Sequence, residues 1–212
     1  TVEIESKAIS KLASFIDESF AEAVELIHNS TGRVIVSGIG KSAIIANKIV
    51  ATLNSTGTPS IFMHAADAIH GDLGLILEDD IVICISKSGN TPEIKALIPF
   101  LKNTGNILIA ITGNQKSVLA EQADYVFNSY VEKEACPINL APTSSTTAQL
   151  VIGDALAVCL LELRGFTKDD FAKYHPGGAL GKRLFLKVRD IIVHNEIFFN
   201  SPNNNSLLVN NI

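Results

Sequence analysis

The chain has 212 residues, 47% of them hydrophobic and 18% charged, with a formal net charge of −5 and a pI near 5.5. That length supports one domain with a sizeable core. The acidic balance excludes general affinity for nucleic acid or anionic membranes, so a phosphorylated ligand would need backbone N–H groups and a few placed cations. Charged residues fall below the roughly 25% of ordinary soluble domains, which points to surface hidden in a large buried sheet, a subunit interface or both.

Apolar residues at Ile4, Ala8, Leu12, Phe15, Ile16, Phe20, Ala23, Val24 and Ile27 recur in steps of three and four. They predict one long amphipathic helix over about 1–30, ended by Thr31-Gly32 with the glycine at positive φ. Charge alternates with apolar groups throughout this stretch, so no signal peptide is expected. Five apolar, β-branched runs follow, at Arg33–Ser37, Ser60–His64, Asp80–Ser86, Asn106–Thr112 and Tyr125–Val131. Most are continuous rather than alternating, as in strands covered on both faces. Helical segments separate them over about Ser42–Gly57, Ala65–Ile69, Pro92–Thr104 and Ser117–Gln122, and a long helix follows over about Ser144–Arg164. Strands alternating with helices imply an α/β fold: a three-layer, doubly wound, five-stranded parallel sheet with right-handed crossovers. One domain is expected over 1–212, with a frayed tail over about 195–212 that ends in an Asn- and Ser-rich run. No run of about 18 apolar residues is expected to span a membrane. Cys84, Cys136 and Cys159 are odd in number and spaced for neither a zinc knuckle nor a disulfide framework; a reducing cytoplasm fits.

Two loops follow strands where open α/β sheets bind ligands. In Ser37-Gly38-Ile39-Gly40-Lys41-Ser42 the Gly-Lys-Ser lacks the P-loop's earlier glycine, since Ile35 stands there. The same stretch satisfies a dinucleotide fingerprint, but no acidic residue closes the second strand to hold a ribose. The second loop, Ser86-Lys87-Ser88-Gly89-Asn90-Thr91-Pro92-Glu93, is more specific. Proline at the first helical position and Thr91 as N-cap mark a helix start. Three hydroxyls and free N–H groups there would converge on the positive end of that helix, a ready phosphate site. A plain capped turn would not need three hydroxyls.

Ser86-x-Ser88-Gly89-x-Thr91 resembles the phosphosugar loop of sugar-isomerase (SIS) domains. Gly40-Lys41-Ser42, Ser55-Thr56-Gly57-Thr58-Pro59, His70-Gly71-Asp72-Leu73-Gly74, Glu134-Ala135-Cys136-Pro137, Leu140 to Thr146 and His175-Pro176-Gly177-Gly178-Ala179-Leu180-Gly181 sharpen the match. Together they resemble the arabinose-5-phosphate isomerases that supply Kdo synthesis, over residues 33 to 193. The resemblance implies a flavodoxin-like SIS sheet in a cytoplasmic homotetramer that interconverts D-arabinose 5-phosphate and D-ribulose 5-phosphate. Longer members carry a pair of CBS domains, and this sequence is expected to lack them. Feedback by a Kdo nucleotide would then have to act at or near the active site.

Such an isomerisation moves a proton between C1 and C2 through an enediolate and needs a base, an acid and help with ring opening, but no redox cofactor. The resemblance assigns catalysis to Lys41, Glu93, Glu134 and His175. It leaves open whether Glu134 or His175 is the base, and the matching histidine can reach a neighbouring subunit's site. Substrate binding is expected at Ser42, Gly57, Thr58, His70, Ser86, Ser88, Gly89, Thr91, Ser144 and Ser145. His64, with Asp67 and His70 nearby in sequence, makes a zinc site conceivable, structural or inhibitory rather than catalytic. Two other functions stay open: a non-catalytic SIS module that senses a sugar phosphate or Kdo nucleotide, disfavoured by Glu93, Glu134 and His175 and, as a DNA-binding regulator, by the lack of a basic patch, and a sibling SIS enzyme with another phosphosugar.

Overall fold

The computed structural model describes residues 1–178 and residue 182. The chain divides into two compact units, Thr1–Phe166 and Thr167–Ile212, where the sequence reading expects one domain. The expected frayed tail lies outside the described residues.

In the first unit, β1 (Val34–Gly38), β2 (Ser60–His64), β3 (Ile81–Ile85), β4 (Leu108–Thr112) and β5 (Tyr125–Asn128) form a wholly parallel sheet in the order β2-β1-β3-β4-β5. The continuous apolar runs have a direct cause: alternate residues of each strand feed two different cores. Val36, Ile83, Ile85 and Ile111 pack beneath α2 (Glu18–Asn29), α3 (Lys41–Ser55) and α7 (Ser144–Leu163). Ile35, Val82, Cys84 and Ala110 pack beneath α4 (Ala65–Ala68), α5 (Pro92–Thr104) and α6 (Val118–Gln122). This is the three-layer, doubly wound arrangement expected from the sequence. From β1 the chain crosses over to β2 on one side, and from β3 to β4 on the other. The loops leaving β1 and β3 therefore part, and a crevice opens above them at the carboxyl ends of the strands.

Three sequence expectations need correction. The single helix over 1–30 is two, α1 (Val2–Leu12) and α2. A 3-10 turn at Ala13–Phe15 and extended Ile16 interrupt it, and Asp17 restarts it by accepting the Phe20 N–H at 3.2 Å. The apolar stripe runs on across the break, so periodicity alone does not reveal it. Gly32 is not at positive φ, and α2 ends at Asn29 with Ser30 extended. Glycine is needed there for space, since a Cβ would lie 1.8 Å from the Asp79 carbonyl oxygen. Finally, α7 is long and apolar enough to cross a membrane by length and composition, contrary to expectation. Its apolarity has a local reason: Ala148, Ile152, Leu156 and Leu160 are packed into the core against α3 and the sheet.

The α3–α7 crossing is close. Lys48 pairs with Asp154 at this crossing, and a Cβ on Gly153 would sit 2.3 Å from Cδ1 of fully buried Ile49. Glycine inside a helix ordinarily costs about 1 kcal/mol relative to alanine. Here Gly153→Ala is expected to destabilise instead, by about 1–3 kcal/mol from overpacking, read from urea unfolding. A stabilised variant would show that the crossing is loose.

Candidate active site

The crevice is a cleft of about 310 Å³, at the small end of ligand pockets. Three helices begin around it. Ile39, Lys41 and Ser42 come from the start of α3, Ser86, Lys87, Ser88 and Thr91 from the loop into α5, and Ser145, Thr146 and Gln149 from the first turns of α7.

The loop into α5 is held from within. Ser86 Oγ and Thr91 Oγ1 are hydrogen-bonded at 2.7 Å, and Ser86 Oγ also accepts the Gly89 N–H at 3.1 Å. Ser88 Oγ accepts the Asn90 N–H at 3.2 Å. Gly89 has φ 63°, and a Cβ there would lie 2.0 Å from Ser117 Oγ, so only glycine lets the loop lie against the start of α6. Thr91 is the N-cap of α5, but its hydroxyl is engaged with Ser86 and makes no cap bond. The start of α3, after Gly40, is likewise uncapped by any side chain. Two helix N-termini thus face the cleft without a side-chain acceptor, the condition under which a helix start binds an anion.

The third helix start is already filled. The Glu134 side chain is fully buried, and its carboxylate caps α7 from outside the helix. Oε2 accepts the N–H groups of Thr143 (2.8 Å) and Ser145 (3.1 Å) and the Thr143 hydroxyl (3.2 Å). Oε1 accepts the Ser145 hydroxyl at 2.5 Å and the Lys87 ammonium at 2.6 Å. Burial pushes the carboxyl's pKa up, but Lys87, Ser145 and the two backbone donors outweigh it and hold the pKa down at about 2. Asn139 secures the loop: its Oδ1 accepts the Glu134 N–H at 2.7 Å, and its own backbone sits at φ 54°.

Lys41, Ser42, Ser86, Ser88, Thr91 and Ser145 therefore meet at one cleft, as the sequence reading expects. Glu134 stands behind Ser145, and Gly89 shapes the loop. Glu93 lies in the first turn of α5, with a buried Oε2 that has no partner. His64 ends β2 beside Gly38 of β1, and His70 is exposed just after α4.

Gly57, Thr58 and Ser144 lie away from the cleft. Gly57 and Thr58 lie between α3 and β2, at the amino-terminal edge of the sheet and across it from the cleft. There Thr58 is buried, donates its N–H to the Leu53 carbonyl and accepts from Arg164, while Gly57 abuts the Phe166 ring. They shape a turn and do not line this cleft. Ser144 is fully buried with an unpartnered hydroxyl and does not line the cleft; the first turn of the helix aims its side chain inward while Ser145 faces Glu134. For a metal at His64, Asp67 lies 3.6 Å away, and no three His, Cys, Asp or Glu side chains cluster among the described residues.

His175 belongs to the second unit, where it ends α8 (Lys168–Tyr174), a helix the sequence reading did not anticipate. Its ring stacks on Phe171, with centroids 3.9 Å apart, and Nδ1 lies 2.8 Å from the Phe171 carbonyl oxygen. A carbonyl can only accept, so the neutral ring keeps its proton on Nδ1 and presents Nε2 as the free base. Ala179, Leu180 and Gly181 of its motif lie outside the described residues.

Sequence reasoning overlooked Lys87 and Gln149. A cation between two phosphate-loop serines was the available signal for the first. For the second it was one glutamine on the core face of an apolar helix: Gln149 is 1% exposed, lines the cleft and accepts from Ser42 Oγ at 3.2 Å.

Comparison with known proteins fits this geometry. Residues 26–159 match the SIS domain model. The chain is 54% identical over 192 residues to arabinose 5-phosphate isomerase KdsD of Pseudomonas aeruginosa, covering 91% of this chain and 59% of that protein. It is 50% identical over 195 residues to arabinose 5-phosphate isomerase KpsF of Escherichia coli O6:H1, covering 92% and 60%. The chain thus spans about three fifths of the length of these relatives. An Escherichia coli CFT073 protein solved in complex with arabinose 5-phosphate superposes with a TM-score of 0.80 at 45% identity, covering 82% of this chain and 93% of that one.

The Glu134 carboxyl has a folded pKa of about 2, below its ordinary 4.5. Its stabilising effect is therefore complete above about pH 4.5 and is lost as pH falls towards 2. Glu134→Gln is expected to cost about 3 kcal/mol at neutral pH, and the gap to the parent protein should narrow through that acid window. Urea unfolding across pH checks this; a gap that stays constant down to about pH 3 would contradict it.

Proposed function

The chain belongs to the SIS domain family, and on that premise we propose that it is an aldose–ketose isomerase interconverting D-arabinose 5-phosphate and D-ribulose 5-phosphate. The observation that carries this reading is the division of roles among the three helix starts. Two are uncapped by side chains and border the cleft with hydroxyls, while the third holds an ionised carboxylate behind Ser145. A sugar phosphate needs that pairing, with an anion site at one end and proton-transfer groups at the other. The arabinose 5-phosphate isomerase relatives and the structural neighbour that holds arabinose 5-phosphate support the choice of sugar.

In this reading Ser86, Ser88 and Thr91, with the first N–H groups of α5, take the phosphate. Ser42 and Lys41 orient and polarise the sugar oxygens. Loss of the C2 proton from the open-chain aldose leaves its electron pair as the C1–C2 double bond of an enediolate. Return of a proton to C1, with the O2 proton passing to O1, gives the ketose. Glu134 and His175 divide the base and acid roles, and His70 and Glu93 support the sugar. Glu134 accepts five hydrogen bonds, so it needs a donor withdrawn before it can accept a carbon-bound proton.

The same reading places D-arabinose 5-phosphate, formed in the reverse direction, upstream of Kdo and lipopolysaccharide synthesis in the cytoplasm, with a Kdo nucleotide as a feedback ligand at or near the cleft. It places the chain in a homotetramer, which exposed Ile138, Leu140, Val158 and Leu163 support. Enediolate chemistry on carboxylate and imidazole calls for no resident metal, and zinc at His64 would be structural or inhibitory.

Incubation with D-arabinose 5-phosphate, with and without chelator, is expected to yield D-ribulose 5-phosphate at the same rate in both. Binding without conversion would overturn the isomerase reading in favour of a sensor or a sibling enzyme. Conversion that chelator abolishes would overturn the metal-free mechanism.

A further inference from the structure

Lys87 stands between Ser86 and Ser88 in the phosphate-binding loop, yet its ammonium is bonded to the carboxylate of Glu134 at 2.6 Å. The side chain joins the cleft wall at α5 to the wall at α7. Its two ends differ in freedom. The Lys87 side chain is 52% exposed and Glu134's is 0%, so the ammonium can leave without uncovering an apolar surface, whereas the carboxylate cannot follow. Four other donors, two from Thr143 and two from Ser145, keep Glu134 in place when Lys87 departs.

A phosphate monoester entering at Ser86, Ser88 and the start of α5 brings about two negative charges at neutral pH. The loop has one cation of its own, Lys87, and among the described residues the only other cation lining the cleft is Lys41, on α3. A dianion attracts an ammonium more strongly than a carboxylate does at equal distance, and it adds charge-assisted hydrogen bonds.

We infer that Lys87 is a phosphate-operated latch on Glu134. It pairs with the carboxylate while the site is empty and turns to the phosphoryl group when a sugar phosphate enters. Glu134 thereby becomes able to accept a proton only when substrate is present. Lys87 is a positioning residue in this scheme, acting through Glu134. The inference rests on the isomerase reading for the identity of the proton that Glu134 receives. The latch itself requires only a phosphorylated ligand. It also accounts for a base candidate whose carboxyl is held near pKa 2 in the empty site. Among the described residues, the charged and titratable groups on the elements beside Glu134 include Lys87 from the β3–α5 loop, Lys41 across the cleft from α3, Glu132, Lys133 and Cys136 on its own loop, and Glu5, Lys7 and Lys11 of α1, which packs against α7. The adjoining residues 143–146 at the start of α7 are all serine or threonine.

The test follows the Glu134 carboxyl by carbon-13 NMR in glutamate-labelled protein, with Glu134→Gln identifying its resonance. The probe is inorganic sulfate, a weaker base than a phosphate monoester, so it is largely dianionic at the raised midpoint expected when it is bound. Saturating sulfate is expected to raise the titration midpoint of Glu134 by roughly one to two pH units. In Lys87→Met the midpoint is already raised without sulfate, and sulfate moves it much less. Lys87→Arg keeps the charge and retains the sulfate response. An unmoved midpoint in the parent protein, or an equal shift in Lys87→Met, would reduce Lys87 to a static brace and overturn the latch. No turnover is read, so a protein that isomerises a different sugar phosphate still answers the question, and failure of the latch is separable from failure of the isomerase reading.

Discussion

The site depends on one buried carboxylate. Glu134 supplies the cap that the start of α7 lacks, since Thr143, its nominal N-cap, makes no side-chain cap bond. It also fixes Ser145 at the cleft wall and ties the phosphate-binding loop to the loop after β5 through Lys87. Without it, the N–H groups and hydroxyls of Thr143 and Ser145, four donors at the start of the apolar α7, would lose this acceptor, a costly change in a core. In the isomerase reading, structural and catalytic roles therefore fall on the same atoms, and substitutions at Glu134 are read as both.

The sheet explains why the carboxylate stands there. The order β2-β1-β3-β4-β5 parts the loops after β1 and β3, and α7, packed across α3, brings its N-terminus to the same edge. Helix dipoles converge on the crevice as a consequence of chain direction in a parallel sheet. The fold offers three sites for anions, the protein fills one with its own side chain, and two remain for a ligand. In the isomerase reading, affinity for a phosphate thus comes to an acidic protein from geometry rather than from net charge.

Much of this was legible in the residues. The five apolar runs, the crossover helices and the Ser86-x-Ser88-Gly89-x-Thr91 loop have strong local signals, because burial on both faces and a helix start led by Pro92 each leave a pattern in consecutive residues. The break between α1 and α2 was not legible, since the apolar stripe continues through Asp17. The place of Gly57 and Thr58, in a turn at the far edge of the sheet from the cleft, was not legible either, because a motif shared with a family does not say where its residues sit in the fold. Lys87 and Glu134 are 47 residues apart, and nothing in their local sequences pairs them; only the folded sheet does. The contrast between Ser144 and Ser145 turns on one step along a helix, finer than a hydroxyl-rich stretch can indicate.

The most direct test is a crystal structure with D-arabinose 5-phosphate bound. The account predicts the phosphate at the first turn of α5, within hydrogen-bonding distance of Ser86, Ser88 or Thr91, and the C1–C2 end of the sugar towards Glu134, which still caps α7. A phosphate seated at the start of α7 with Glu134 displaced, or a sugar bound away from the β1–β3 crevice, would contradict it.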